Sequence, residues 1–221
     1  MEINHKNYSH FSFDLWLTLI KSNPEFKIKR NLLFRDFFTI DCPIEKVTTI
    51  VRYYDVLFNN INEKTGLNFE TCEIYYLILS ALNVKIDEID TEQLNLFYAE
   101  TELLFLKYKP QLLFPNIQSL FKEITAQEKT INILSNTAFI KGSTLRKIIS
   151  YYELSDFFKF QFYSDEVGFS KPNPKIFQLV FDQINNFKPL QKKEVLHIGD
   201  NIVSDYNGAI SFGFDAHLLN V

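Results

Sequence analysis

HFSFDLWLT, residues 10–18, is the stretch from which the fold of this chain can be read. Its first six residues are apolar-rich and bulky, the make-up of a buried strand, and they deliver Asp14 to the strand's carboxyl end. Further along, the same kind of segment recurs. Residues 130–134 (TINIL) read as a strand ending at Ser135, and residues 160–163 (FQFY) as another. Residues 194–198 (EVLHI) run into Gly199-Asp200, and residues 216–219 (AHLL) close the series. Helical patterns lie between and around them, over 115–125, 142–152, 174–185 and 202–212. Strands alternating with helices imply a parallel sheet joined by right-handed crossovers. The expected class is α/β, with a three-layer, Rossmann-like parallel sheet as its core.

Residues 23–109 break this alternation. They read as four helices, over 26–38, 43–64, 70–82 and 91–107. Pro43 suits an opening helical position, Gly66 lies just past an end, and Thr91 suits an N-cap. The first strand must still pair with the later ones, so the helical block is an insertion, not a tandem domain. The expected organisation is a core of residues 1–20 and 110–221 carrying an all-helical cap over 21–109.

Polar groups fall at, or just after, the carboxyl ends of the expected strands: Asp14, Ser135, Lys171 and the pair Asp200/Asp205. Open α/β sheets bind ligands outside that edge, so these distant residues are expected to share one crevice. Taken singly, each has an ordinary reading. Asp14 suits a turn, Ser135-Asn136 a plain turn, Lys171 a solvated loop, and Asp200 the cap of the helix starting near Ile202. Asp205 is harder to dismiss, since a helix interior disfavours Asp. His197 lies inside a strand pattern and reads as packed. His5, His10 and His217 carry no signal.

Taken together, four segments resemble the motifs of the haloacid dehalogenase superfamily, in order. They are FDLWLT (13–18), ILSNT (133–137), SKPNP (170–174) and HIGDNIVSD (197–205). The inserted helices are similar to that family's cap. The resemblance implies a hydrolase in which Asp14 is the nucleophile and Lys171 its charge partner. It implies Mg²⁺ as cofactor, held by Asp14, Asp200, Asp205 and the backbone carbonyl of Trp16. Ser135, Asn136, Trp16 and Thr18 would contact the phosphate of a small phosphorylated substrate. The chemistry is coherent: a carboxylate attacking phosphorus splits one hard step into two. An ammonium and a hard cation remove the repulsion between two anions.

One position departs from the pattern. The family's phosphatases carry a second Asp two residues after the nucleophile, as general acid and base, and here that residue is Trp16. Indole cannot serve in that role near neutral pH, and losing such help costs about 10²–10⁴ in rate. Three readings follow. A phosphohydrolase remains workable if the leaving group needs no proton, as with acyl phosphates and phosphoanhydrides, or if a cap residue donates one. A 2-haloacid dehalogenase resembles this chain in having an aromatic residue there. However, those enzymes work without metal and lack the pattern formed by Asp200 and Asp205. A non-catalytic binder of phosphorylated ligands is the third. Leu17 also stands where the family commonly has Gly.

In the cap, Lys27 and Arg30 lie three apart on one helix face. They are placed to meet an anionic substrate, although a solvated face is the usual role of such a pair. Tyr53, Tyr54, Tyr75 and Tyr76 are candidates for the pocket wall, with packing as the usual role. The remaining features are exclusions. The 221 residues carry a scattered net charge of −4, with no basic stripe, so nucleic acid is not an expected partner. No apolar run is long enough to span a membrane. Residues 1–10 lack the apolar stretch of a signal peptide. Cys42 and Cys72 read as buried thiols in a reducing compartment, so a cytoplasmic location is expected. GxGxxG, GxxxxGK, GxSxG and HExxH patterns are all missing. The oligomeric state is not readable from the sequence.

Overall fold

The computed structural model describes residues 7–220. His5 and most of the polar amino-terminal stretch lie outside the described residues. The chain begins with β1 (His10–Phe13) and the two-residue β2 (Ile20–Lys21). Four helices come next: α1 (Pro24–Phe37), α2 (Ile44–Thr65), α3 (Thr71–Ala81) and α4 (Thr91–Lys107). After them lie β3 (Gln111–Leu112), α5 (Ile117–Ala126), β4 (Thr130–Ser135), α6 (Gly142–Tyr151), β5 (Phe158–Tyr163) and α7 (Ser164–Val167). The chain then forms α8 (Pro174–Asn185), β6 (Val195–Gly199), a π-helical turn (Ile202–Asn207), α9 (Gly208–Phe212) and β7 (Asp215–Leu218).

The main sheet has the order β5-β4-β1-β6-β7, and every pairing in it is parallel. β1 is central, which explains why both of its faces are buried. Phe11 and Phe13 pack on one face with Ile131, Ile133, Phe121 of α5 and Ile148 of α6. On the other face, Leu134 and Val195 join Ile176, Phe177 and Val180 of α8 and Ala209 of α9. These are the three layers expected of an α/β core. Each fully buried Phe or Ile contributes about 1.5–3 kcal/mol of transfer free energy. His10 is not silent: it is wholly buried, with its ring nitrogens 2.6 Å from Thr130 Oγ1 and 2.7 Å from Asn132 Oδ1.

The four helices α1–α4 share their own apolar cluster, built from Phe34, Val51, Ile78 and Phe97 among others, with Phe139 entering from the loop after β4. At both ends of this segment the chain is tied by an antiparallel ribbon missed in the sequence, Ile20 opposite Leu112 and Lys21 opposite Gln111. Two-residue strands carry too little periodicity to be read in advance.

Local chemistry sets the helix ends. Asn23 caps α1 by accepting from the Glu25 amide, and Pro24 fits the first turn. Gly66 ends α2 with φ 67, and a Cβ there would lie 2.8 Å from Asn173. The cap of α4 is Asp90, paired with Gln93 in a capping box, so the expected Thr91 cap is shifted by one residue. The expected helix over 202–212 is a π turn followed by α9, and Asn201 caps it, not Asp200. Cys42 and Cys72 are free and half-buried, correcting the expectation of buried thiols. Among the described residues no helix is long and apolar enough to cross a membrane.

Candidate active site

Parallel pairing puts the carboxyl ends of β1, β4 and β6 side by side, and the candidate residues converge there. The Asp14 amide donates to the Ile198 carbonyl at 2.8 Å, which locks the end of β1 against β6. Asp14 and Asp205 are both buried, and the side chain of Lys171 lies between them. Its Nζ donates to Asp14 Oδ1 at 2.7 Å, to Asp205 Oδ1 at 2.6 Å and to the Leu134 carbonyl at 2.7 Å. All three ammonium donors are therefore used, as burial requires. Lys171 is not the solvated loop residue that Lys usually is.

Asn136 explains how a loop lysine is held so firmly. Its side chain donates to the Lys171 carbonyl at 2.9 Å and accepts from the Lys171 amide at 2.8 Å. The sequence suggested Asn136 only as part of a phosphate-holding turn. Beside it, Thr137 donates to Asp165 Oδ1 at 2.8 Å, and Asp165 also accepts from the Gly142 amide. This brace between the loop after β4 and α7 carried no readable sequence signal.

The π turn aims Asp205 inward. Its carboxylate accepts from the Asn201 amide at 3.0 Å and lies 3.1 Å from His197 Nε2. Gly199 makes room for it, because a Cβ at that position would lie 2.2 Å from the carboxyl group. His197 is packed, as expected, with its other ring nitrogen 3.1 Å from Ser12 Oγ. Thr18 is buried and its hydroxyl reaches Asp200 at 3.5 Å. Ser135 is buried too, with its hydroxyl donating to the Asn136 carbonyl at 3.2 Å. Neither lies on the cavity wall.

That cavity, of about 310 Å³, opens over Asp14, Lys171, Asp200 and Asp205. Trp16 lines it half-buried and packs on Phe105 of α4, with ring centroids 6.2 Å apart. Lys27 and Arg30 of α1 line the cavity as well, whereas Tyr53, Tyr54, Tyr75 and Tyr76 do not.

Burial pushes the Asp14 carboxyl up to about 7 against the pull of Lys171, with the charges of Asp205 and Asp200 adding to the rise. Partial burial and Asp205 also raise Asp200. Burial acts upward on Asp205 as well, but Lys171 and His197 outweigh it and hold that carboxyl well below the usual range. Burial opposes the charge on Lys171, yet Asp14 and Asp205 raise its pKa. The site thus collects three carboxylates against one ammonium. Oxygen atoms of Asp14, Asp200 and Asp205 lie within 4.8 Å of one another. Hard oxygen donors with surplus negative charge suit a divalent cation such as Mg²⁺.

A family model for haloacid dehalogenase-like hydrolases matches residues 10–213. The chain belongs to this family. Among curated proteins, the "Rhythmically expressed gene 2 protein" of Drosophila melanogaster is 29% identical over 104 residues, 47% of this chain and 38% of the fly protein. "Pyrimidine 5'-nucleotidase YjjG" of Escherichia coli (strain K12) is 39% identical over 67 residues, 30% of this chain and 28% of that protein. The matched segments thus span well under half the length of either curated relative. Among solved structures, the HAD-hydrolase YfnB of Bacillus subtilis, bound to magnesium, aligns with a TM-score of 0.71 at 21% identity, over 97% of this chain and 90% of that one. A HAD phosphatase from Thermococcus onnurineus aligns at 0.68 with 17% identity, covering 96% and 86%. A 2-haloacid dehalogenase from Pseudomonas syringae aligns at 0.64 with 21% identity, also covering 96% and 86%. At these identities the likeness establishes the fold, which phosphatases and dehalogenases share. This haloacid dehalogenase-like hydrolase therefore has to be assigned its reaction from its own site.

Proposed function

We propose that this hydrolase is a Mg²⁺-dependent phosphohydrolase acting through an aspartyl-phosphate on Asp14. The observation that carries the reading is the gathering of Asp14, Asp200 and Asp205 around Lys171. Halide displacement does not need three clustered acids, whereas a phosphoryl group arriving beside a carboxylate needs cationic charge. A cation bound by these acids would supply electrostatic stabilisation of the phosphoryl oxygens. The chain's own residues do the rest. Asp14 attacks phosphorus, the P–O bond to the leaving group breaks, and its electron pair leaves on oxygen. Water then attacks the acyl phosphate, freeing inorganic phosphate and the carboxylate. Lys171 holds Asp14 in place and favours its ionised form. The helices over residues 21–109 act as a cap that shields the crevice and selects the substrate. Free Cys42 and Cys72 suit a reducing, cytoplasmic setting.

Trp16 narrows the chemistry. With no acid beside the nucleophile, good leaving groups are favoured, as in acyl and aryl phosphates. The same residue supports a second reading as a dehalogenase, since halide departs without a proton. One assay separates them. Acetyl phosphate and p-nitrophenyl phosphate are tested with and without Mg²⁺, alongside chloride release from 2-chloropropionate. Metal-dependent phosphate release, abolished in Asp14→Asn, is the expected result. Metal-independent chloride release without phosphate release would establish the dehalogenase, and no turnover of any compound would leave a binder.

A further inference from the structure

Among the described residues, Arg30 is a buried cation that phosphoryl transfer to Asp14 does not use. It is 8% exposed, yet no carboxylate among the described residues pairs with it. Its Nε and Nη2 donate to one neutral oxygen, Asn31 Oδ1, at 3.3 and 3.2 Å. The guanidinium carbon lies 4.6 Å from the Phe139 ring centroid and 5.8 Å from that of Phe26. A guanidinium offers five donors in a planar fork and no acceptor. With Nε and Nη2 spent on a neutral oxygen, the rest of the fork is left open to an anion entering the cavity that Arg30 lines.

The direction of Arg30 says what it serves. It lines the same cavity as Asp14, and so does Lys27, one turn earlier on α1. Two acids of α2 line this cavity, and one of them is neutralised by a cation. Asp55 pairs with Arg52 at 2.8 Å, and Glu63 accepts from Asn201 at 3.1 Å. Asn201 is neutral and leaves the charge on Glu63, so the balance on the cap side is two cations, Lys27 and Arg30, against one carboxylate, and is positive.

Building on the phosphohydrolase reading, we propose that Arg30 is a second anion subsite, with Lys27 at its mouth. The substrate then carries a further oxyanion, a carboxylate or a second phosphate, remote from the phosphoryl group attacked by Asp14. A small, doubly anionic metabolite is the implied class, its middle lying along Trp16 and Phe26. Charge-assisted, bidentate contact in a partly dry cavity makes such a subsite strongly selective.

The test uses three aryl phosphates: 3-carboxyphenyl phosphate, its carboxamide, and benzene-1,3-diyl bisphosphate. Trp16 is the single tryptophan of the chain and lines the cavity, so its fluorescence reports occupancy. Titrations in Asp14→Asn measure binding without turnover. Both anionic compounds, or one of them, should bind about tenfold or more tightly than the carboxamide. Which of the two does so separates carboxylate from phosphate recognition. Adding Arg30→Met should bring that ratio near one, Arg30→Lys should keep part of it, and Lys27→Ala should reduce it less. The comparison in Asp14→Asn alone does not depend on any cap variant folding. Equal binding of anionic and neutral compounds there would overturn the proposal, as would a ratio unchanged by Arg30→Met. Turnover without this preference would remove the subsite and keep the phosphohydrolase. The preference without turnover would do the reverse.

Discussion

Trp16 packs on Phe105 of α4, their ring centroids 6.2 Å apart, so the residue two positions after Asp14 is also a contact between the loop following β1 and helix α4. On the phosphohydrolase reading proposed above, that contact bears on any attempt to place an acid at this position.

Replacing Trp16 with Asp should raise turnover of an alkyl phosphate, whose alkoxide must be protonated, by about 10²-fold. Trp16→Asn removes the same indole without supplying a proton, so it controls for the lost contact with Phe105. Hexose phosphate hydrolysis by wild type and both variants is the measurement. Equal rates in the Asp and Asn variants would show that an acid here does nothing.

Metal should stabilise the protein, because three carboxylates cluster where one ammonium bonds only two of them. Mg²⁺ at about 100 times its dissociation constant adds about 2.7 kcal/mol by mass action. Asp200→Asn should weaken this response. Melting curves of wild type that coincide with and without millimolar Mg²⁺ would end the metal assignment.

Leu17 has φ 55, the left-handed region that a branched side chain adopts only at a cost of about 1–2 kcal/mol. Its side chain is largely exposed and contributes little packing to offset that. Leu17→Gly should therefore stabilise the chain by about 1 kcal/mol after allowing for the greater freedom of unfolded Gly. Urea denaturation measures it, and an unchanged or lowered midpoint would show that Leu17 is held by contacts that outweigh the strain.

His10 sets an acid limit on stability. Burial lowers its pKa from 6.5 to about 4, so the folded state keeps it neutral where the unfolded chain binds a proton. The unfolded state binds more protons between pH 6.5 and 4, so this contribution is intact above pH 6.5 and falls away as the pH drops to 4. The total loss is about 3 kcal/mol. His10→Gln, uncharged throughout, should flatten that part of the stability curve relative to wild type. Parallel curves for the two proteins would remove His10 as the cause.

Much of this protein was legible in one dimension because the signals are local. A strand that ends in Asp14, another that ends in Ser135 and a third that runs into Gly199-Asp200 declare themselves by apolar runs that stop at polar or turn-forming residues. Their alternation with helices after residue 110 admits few topologies, and the order β5-β4-β1-β6-β7 is one of them. That Asp14, Asp200, Asp205 and Lys171 would share a crevice followed from parallel strands having their carboxyl ends on one side.

Other features depended on groups far apart in sequence, whose contacts no local pattern encodes. Lys171 looks like any loop lysine until Asn136 clamps its backbone and Asp14 and Asp205 close on its ammonium. Arg30 looks like a surface residue of an amphipathic helix until Phe139, arriving from the core, covers it. Asp205 looks misplaced in a helix until the π turn and the bare Cα of Gly199 admit its carboxylate. The sequence by itself determined the succession of strands and helices and the set of chemical groups, because periodicity and strand ends are short-range properties. Tertiary structure alone decided which charges are buried and what each one faces, because desolvation and pairing exist only once distant segments have packed.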